Sequence, residues 1–272
     1  MNKLTKEQQE KVISALVEGV SIRSTERMTG IHRDTIMRLG VRTGQHCKDI
    51  LDREMRNLKS SKIQVDEVWA FVGKKQRHVG LMDNVEEVGD QWIFVALDAD
   101  SKLIPSFIIG KRTAENASAL TDDLASRLTN RVQISSDQLK AYVDAVFMSF
   151  GGDVDYGQIV KSFEAEPVGA GRYSPPHVVS VNRHEIIGKP NLKHISTSFV
   201  ERSNLTMRMQ MRRLTRLTNA FSKKLDNLKA AVALHFAYYN FCRIHQSLKT
   251  TPAMEAGITN HLWSIRDLLP ER

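Results

Sequence analysis

"KIQVDEVWAFVG", Lys62–Gly73, is the stretch on which the fold turns. Its Ile63, Val65, Val68, Trp69 and Phe71 are the β-branched and aromatic residues that favour a strand. Asp66 stands among them, and a carboxylate buried in a sheet is costly unless a hydrogen bond or a cation compensates it. Glu67 alternates to the opposite face of such a strand, which makes it a poor substitute for Asp66.

Outward from this run the texture stays strand-like. "QWIFVALDADSKLIPSFIIG" reads as two strands joined by a turn at Asp98–Lys102, where Asp98 and Asp100 serve the local backbone. "TAENASALTDDLASRLTN" is an amphipathic helix with Ala117, Leu120, Leu124 and Leu128 inward, so Asp122 and Asp123, like Asp144 further on, read as surface charges. The short strand "RVQISSD" follows. The order β-β-β-α-β predicts a mixed α/β sheet. Asp137 ends the last strand, where an open α/β sheet places its chemistry. Next come a helix near Leu139–Phe150 and strands at "GQIVKSFE" and "PHVVSVNRHEI", with loops at "PVGAGRYSPP" and "GKPNLK". From about Ser196 the chain reads as mostly helical, with Glu201 opening a long helix and Pro252 starting a final short one.

Ahead of Lys62, residues 8–45 predict three short helices. Val12, Ile13, Leu16 and Val17 share one face of the first, which Gly19 ends. The second runs from about Ser21 to Met28 and stops at Gly30. The third, "IHRDTIMRLGVRTG", packs Ile31, Ile36 and Leu39 and leaves Arg33, Arg38 and Arg42 facing out. This is a helix-turn-helix pattern, which also serves in plain packing modules. The expected division is a helix-turn-helix DNA-binding domain at 1–45, a linker helix at 46–60, a catalytic domain at 61–260 and a tail at 261–272.

The 272 residues are 41% hydrophobic and 26% charged, a globular rather than a disordered composition. No run of 18 apolar residues occurs and Met1–Glu18 lacks a signal peptide's apolar core, so neither a membrane span nor export is expected. Cys47 and Cys242 form no CxxC pair and no disulfide framework, and a cytoplasmic, nucleoid-associated protein is the expectation. Between Glu201 and Thr250 ten Lys or Arg face two acids, a surplus equal to the whole chain's net charge of +8. Such a surplus suits a polyphosphate partner, although a solvated basic face has the same composition.

Taken singly, each of the three acids has an ordinary explanation: a strand-end Asp caps a turn, and a first-turn Glu favours the helix dipole. Together, "QVDEVWAFVG", "ISSDQLKAY", "HISTSFVERSNLTMRMQMRRLTRLTNAFSKK" and "ALHFAYYNFCRIHQSL…TPAMEAG" resemble bacterial insertion-sequence transposases with a ribonuclease H-like core. The nearest resemblance is to the family typified by the first-numbered insertion sequence, and it extends from about Lys62 to the C-terminus. In that fold the first Asp lies on the first strand, the second follows the fourth strand and the Glu lies on a later helix. Asp66, Asp137 and Glu201 match those places.

The resemblance implies a catalytic and metal-binding triad of Asp66, Asp137 and Glu201. Attack on a phosphodiester by water or a DNA 3′-hydroxyl calls for divalent ions, Mg²⁺ with Mn²⁺ as a substitute, to activate the attacking oxygen and stabilise the leaving one. It implies double-stranded DNA as the partner, both element ends and target, bound by a homo-oligomer. Arg202 and Asn204 would contact the DNA backbone, with Arg208, Arg212, Arg213, Arg216, Lys223 and Lys224 as the track behind them. Asn240, Arg243 and His245 match the family's "YN…R.H..L" pattern, in a structural or DNA-contacting role. Asp137 and Glu201 stand 64 positions apart, wider than in the compact retroviral-like subgroup, so residues 140–195 must hold extra structure. No zinc ribbon can form, which leaves recognition of DNA ends to the helix-turn-helix. The expected function is a transposase acting on terminal inverted repeats. The alternatives are a structure-selective nuclease or resolvase, and a non-catalytic DNA-binding regulator.

Overall fold

In a computed structural model of the chain, which describes residues 4–164, 177–215 and 218–271, the Lys62–Val72 run is strand β1. It is followed by β2 (Gly89–Asp98), β3 (Ser106–Gly110), β4 (Val132–Ser136), β5 (Val154–Glu164) and β6 (His177–Ile187). The six strands, among the described residues, form one sheet in the order β3-β2-β1-β4-β5-β6. β1 pairs antiparallel with β2 and parallel with β4, β4 pairs parallel with β5, and the two outer pairs are antiparallel. The chain is thus a mixed α/β protein with helices ahead of a mixed sheet. The turn expected at Asp98–Lys102 is present, with Asp98 Oδ1 accepting from the backbone N–H of Asp100 and Ser101.

Alternation along β1 separates two cores. Ile63 and Val65, with Phe94 and Ala96 of β2, pack against helix α4 (Ala114–Arg127) and helix α5 (Ala141–Phe150) through Ala117, Leu120, Leu124 and Tyr142. Val68, Ala70 and Val72, with Ile93 and Val95, pack on the other face, and Gln64 and Asp66 share that face. Each such aliphatic side chain fully withdrawn from water contributes about 1.5–3 kcal/mol.

That second face shares one core with the N-terminal helices and the C-terminal part of the chain. Helix α1 (Lys6–Val17) starts at a Thr5–Gln8 capping box. Helix α2 (Ile22–Thr29) starts at Ser21 and ends on Gly30, whose φ of 69° is the left-handed conformation glycine adopts freely. Helix α3 (Arg33–Glu54) is longer than the short third helix expected, running unbroken through residue 45. Its apolar stripe explains this, since Ile36, Leu39, Cys47, Ile50 and Leu51 keep helical spacing across that point. Gly44 lets α3 approach α7 (Leu225–Ala237) closely, because a Cβ there would stand 2.0 Å from the Ala230 carbonyl oxygen.

The end of α3 is tied to α4 by Arg127. This buried guanidinium pairs with Asp123 and Asp52 and donates to the Met55 carbonyl. Asp123 is therefore not the surface charge expected, because it compensates a buried cation.

Residues 140–195 hold α5 and the β5–β6 hairpin, whose "PVGAGRYSPP" loop lies outside the described residues. Helix α6 (Ser198–Gln210) carries Glu201 in its first turn. It is shorter than the long helix expected: Met211 turns extended, and Met211 and Leu214 are drawn into the core beside the N-terminal helices. After α7 a π-turn at Tyr238–Cys242 buries Asn240, whose side chain accepts from the N–H of Ile104 and donates to its carbonyl. Helix α8 (Pro252–Glu255) is capped by Thr251. Among the described residues, no helix is long and apolar enough to cross a membrane.

Candidate functional site

The parallel register of β1 and β4 runs from Lys62 opposite Gln133 to Gln64 opposite Ser135, and β4 stops at Ser136. Extending that register sets Asp137 beside Asp66. β1 continues to Val72, so the end of β4 leaves a notch along one edge of β1. Carboxylate oxygens of Asp66, Glu67 and Asp137 come within 4.8 Å of one another there, the one such group among the described residues. Glu67 does face the α5 side, as alternation requires. It still lies close to the other two, because beside an unpaired strand edge side chains from both faces reach the same opening.

Burial lifts the Asp66 carboxyl to about 7, and the adjacent Glu67 and Asp137 charges add to the rise. The Glu67 backbone N–H and the Asn204 amide oppose it. Burial also raises Glu67, against a favourable contact with Tyr142 and the charge of Arg112. Arg112 holds Glu67 Oε2 at 3.0 Å and lies over the Trp92 ring. Burial raises the Tyr142 hydroxyl well above its ordinary value, and Glu67 contributes. Asp137 Oδ1 accepts from the Leu139 N–H at 2.9 Å. Among the buried oxygens around the notch, Asn204 Oδ1 has no hydrogen-bond partner, while Glu67 and the Tyr142 hydroxyl lie against one another without a hydrogen bond of ordinary geometry. Crowded carboxylates and an orphaned amide oxygen are an all-oxygen donor set, which fits a hard divalent cation such as Mg²⁺ or Mn²⁺.

Helix α6 is docked on β1 by its N-terminus. Gln64 Oε1 accepts from the N–H of Phe199 at 2.8 Å and of Val200 at 3.1 Å, satisfying two free helix donors. One turn after Glu201, Asn204 donates from Nδ2 to Asp66 Oδ2 at 2.8 Å. Asn204 is thus buried against the first acid rather than exposed for a DNA backbone, because docking on Gln64 turns that face of α6 to the sheet. Glu201 itself accepts from the Thr197 hydroxyl at 2.6 Å and pairs with the ammonium of Lys161 on β5. Its carboxylate lies outside the group formed by Asp66, Glu67 and Asp137.

Arg33, Arg38 and Arg42 are exposed along α3, and Arg202, Arg212, Lys223 and Lys224 are exposed further on. The Lys223 ammonium sits 3.1 Å from the Phe221 ring centroid. Arg213 departs from the expected track: it is largely buried, donates to the Ser222 hydroxyl, and desolvation lowers its pKa. Arg208 and Arg243 are half-buried, and one Arg243 guanidinium nitrogen has no partner. His245 is half-buried against Tyr239, with its pKa lowered by burial and by Lys102 and Arg243. Arg216 lies outside the described residues. Gln64, Arg112, Tyr142 and Lys161 were missed from sequence, and only Gln64, two positions before Asp66 on one strand face, carried a local signal.

Fold and site define a mixed α/β protein with a carboxylate cluster where β4 ends beside the middle of β1. No protein-family model matches the chain, and no curated protein sequence matches it. Among solved structures it shows a distant similarity to the Mos1 strand transfer complex, at 14% identity and a TM-score of 0.24, covering 57% of this chain and 59% of that one. The Mos1 mariner paired end complex with Mn gives 12% identity and a TM-score of 0.21, covering 55% and 58%. A pre-cleavage Mos1 transpososome gives 10% and 0.20, covering 57% and 60%. The chain therefore spans less than two thirds of these chains' length. Overlap this low assigns no activity.

Proposed function

We propose that the chain is a DNA transposase with a ribonuclease H-like core, which binds the terminal inverted repeats of an insertion sequence and catalyses Mg²⁺-dependent strand cleavage and strand transfer. The observation that carries this reading is the meeting of Asp66, midway along β1, and Asp137, just past the end of β4, with the Glu201 helix bonded to Asp66 through Asn204. A divalent ion there would supply activation of the attacking oxygen and stabilisation of the leaving one. Asp66 and Asp137 would hold it, Asn204 fixes the orientation of the Asp66 carboxylate, and α6 places Glu201 on the flank.

Residues 1–45 are assigned to recognition of the DNA ends, through Arg33, Arg38 and Arg42 on the exposed side of α3. Arg202, Arg212, Lys223 and Lys224 extend the basic surface beyond α6 and neutralise phosphates as the duplex enters. Joining two element ends requires a homo-oligomer on DNA.

The test is cleavage of DNA carrying the short inverted repeats that flank the coding sequence, in Mg²⁺, by wild type and by Asp66→Asn, Asp137→Asn and Glu201→Gln. Cutting by wild type and loss in each variant is the expected result. Retained activity in any one removes that residue from the triad, and metal-independent cutting ends the reading.

A further inference from the structure

We infer that Glu67 is a metal-ligating residue, completing with Asp66 and Asp137 a cation site preformed in the absence of DNA. This rests on the metal-dependent reading above and deepens it. The geometry is specific. Glu67 is buried, with a carboxylate oxygen within 4.8 Å of oxygens of both Asp66 and Asp137. Its two oxygens have different surroundings: Oε2 is anchored by Arg112 at 3.0 Å, whereas Oε1 is buried without a hydrogen bond of ordinary geometry, the Tyr142 hydroxyl being the neutral donor against this carboxylate.

An orphaned oxygen stands on the opposite side of the notch. Asn204 is buried, its Nδ2 is committed to Asp66 and its Oδ1 is bonded to nothing. Buried oxygens are almost always paired, so the orphaned Asn204 amide oxygen beside three crowded carboxylates marks a place for a positive partner. Arg112 neutralises one oxygen of Glu67, and the other has only the neutral Tyr142 hydroxyl near it and is available to a cation.

Glu201 is arranged differently. It is half-exposed and its charge is already met by Lys161 and Thr197. Glu67 thus belongs to the resting cation site, and Glu201 does not contribute to it while Lys161 holds its carboxylate.

The experiment is titration of the full-length protein with Mn²⁺ alone, without DNA, following the loss of the free-ion electron paramagnetic resonance signal. Wild type is compared with Asp66→Asn, Glu67→Gln, Glu67→Asp and Glu201→Gln, each checked for native circular dichroism. Glu67→Asp keeps the charge and withdraws the carboxylate by one methylene, so its loss of affinity separates ligation from general electrostatics. Expected is a loss of about tenfold or more for Asp66→Asn and both Glu67 variants, and less than about threefold for Glu201→Gln. Wild-type affinity in folded Glu67→Gln and Glu67→Asp, with loss in Asp66→Asn, overturns the role of Glu67 alone. Absence of Mn²⁺ binding by wild type overturns the metal site and with it the reading on which this inference rests.

Discussion

Replacing Asp66 by Asn makes the metal-free protein more stable at pH 7.5, even though it removes a residue at the heart of the site. The magnitude follows from the site itself. The carboxyl stands at about 7 in the folded chain against an ordinary value of 3.8, with burial as the main cause. At about 1.4 kcal/mol per pKa unit, that difference sets a ceiling of about 4 kcal/mol. The sign is fixed by linkage. Between those two pH values the folded state holds a proton that the unfolded chain has shed, so stability is full below about 3.8 and lost as pH rises through about 7. Glu67 is raised as well, so the three carboxylates titrate as a group and share the loss. Asn at position 66 keeps an oxygen for the Asn204 amide and removes the charge.

The assay is urea unfolding from pH 4 to pH 8 in a chelator. Wild type loses stability across this range, while Asp66→Asn loses less and stands about 2–4 kcal/mol above it at pH 7.5. The gap closes near pH 4. Adding Mn²⁺ stabilises wild type and leaves the variant where it was, because only a folded site binds the ion. No gap at pH 7.5, or a gap that does not change with pH, refutes the reasoning.

Other substitutions probe the frame. Gly44→Ala forces α3 and α7 apart at the Ala230 carbonyl and costs about 1–3 kcal/mol in urea unfolding. Arg127→Met removes the link between α3 and α4 and leaves the Met55 carbonyl without its Arg127 donor, while Asp123 keeps the Ser106 hydroxyl, at a cost of about 1–3 kcal/mol by the same measurement. Glu201→Gln loses only a partly exposed ion pair with Lys161, so it shifts stability by less than about 1 kcal/mol while abolishing DNA cleavage.

Legibility in the sequence followed range of interaction. β1, β2 and β4 could be read because their apolar residues repeat locally, and the turn at Asp98 because its acid bonds its own backbone. The length of α3 was missed at a boundary that nothing local marks. Its stripe simply continues, and glycine at 44 signals close packing rather than a stop. At the site, Asp66 and Asp137 were found by their strand positions. Alternation does not reveal Glu67, because it describes a fully paired strand, whereas the β1–β4 pairing ends at Gln64 opposite Ser135. Asn204 was placed on DNA because no spacing rule reports that α6 docks on Gln64 and turns this amide toward Asp66. Lys161 lies 40 positions before its partner Glu201, beyond any local pattern.

The central claim is joining, not cutting alone. The most direct measurement uses a labelled duplex with a free 3′-hydroxyl at the element's terminal repeat, a target plasmid, Mg²⁺ and the full-length protein. The account predicts a labelled strand covalently joined to the plasmid by wild type, and none by Asp66→Asn folded to the same degree. A protein that cuts the terminal repeat yet yields no joined product is a nuclease, and the account is then wrong.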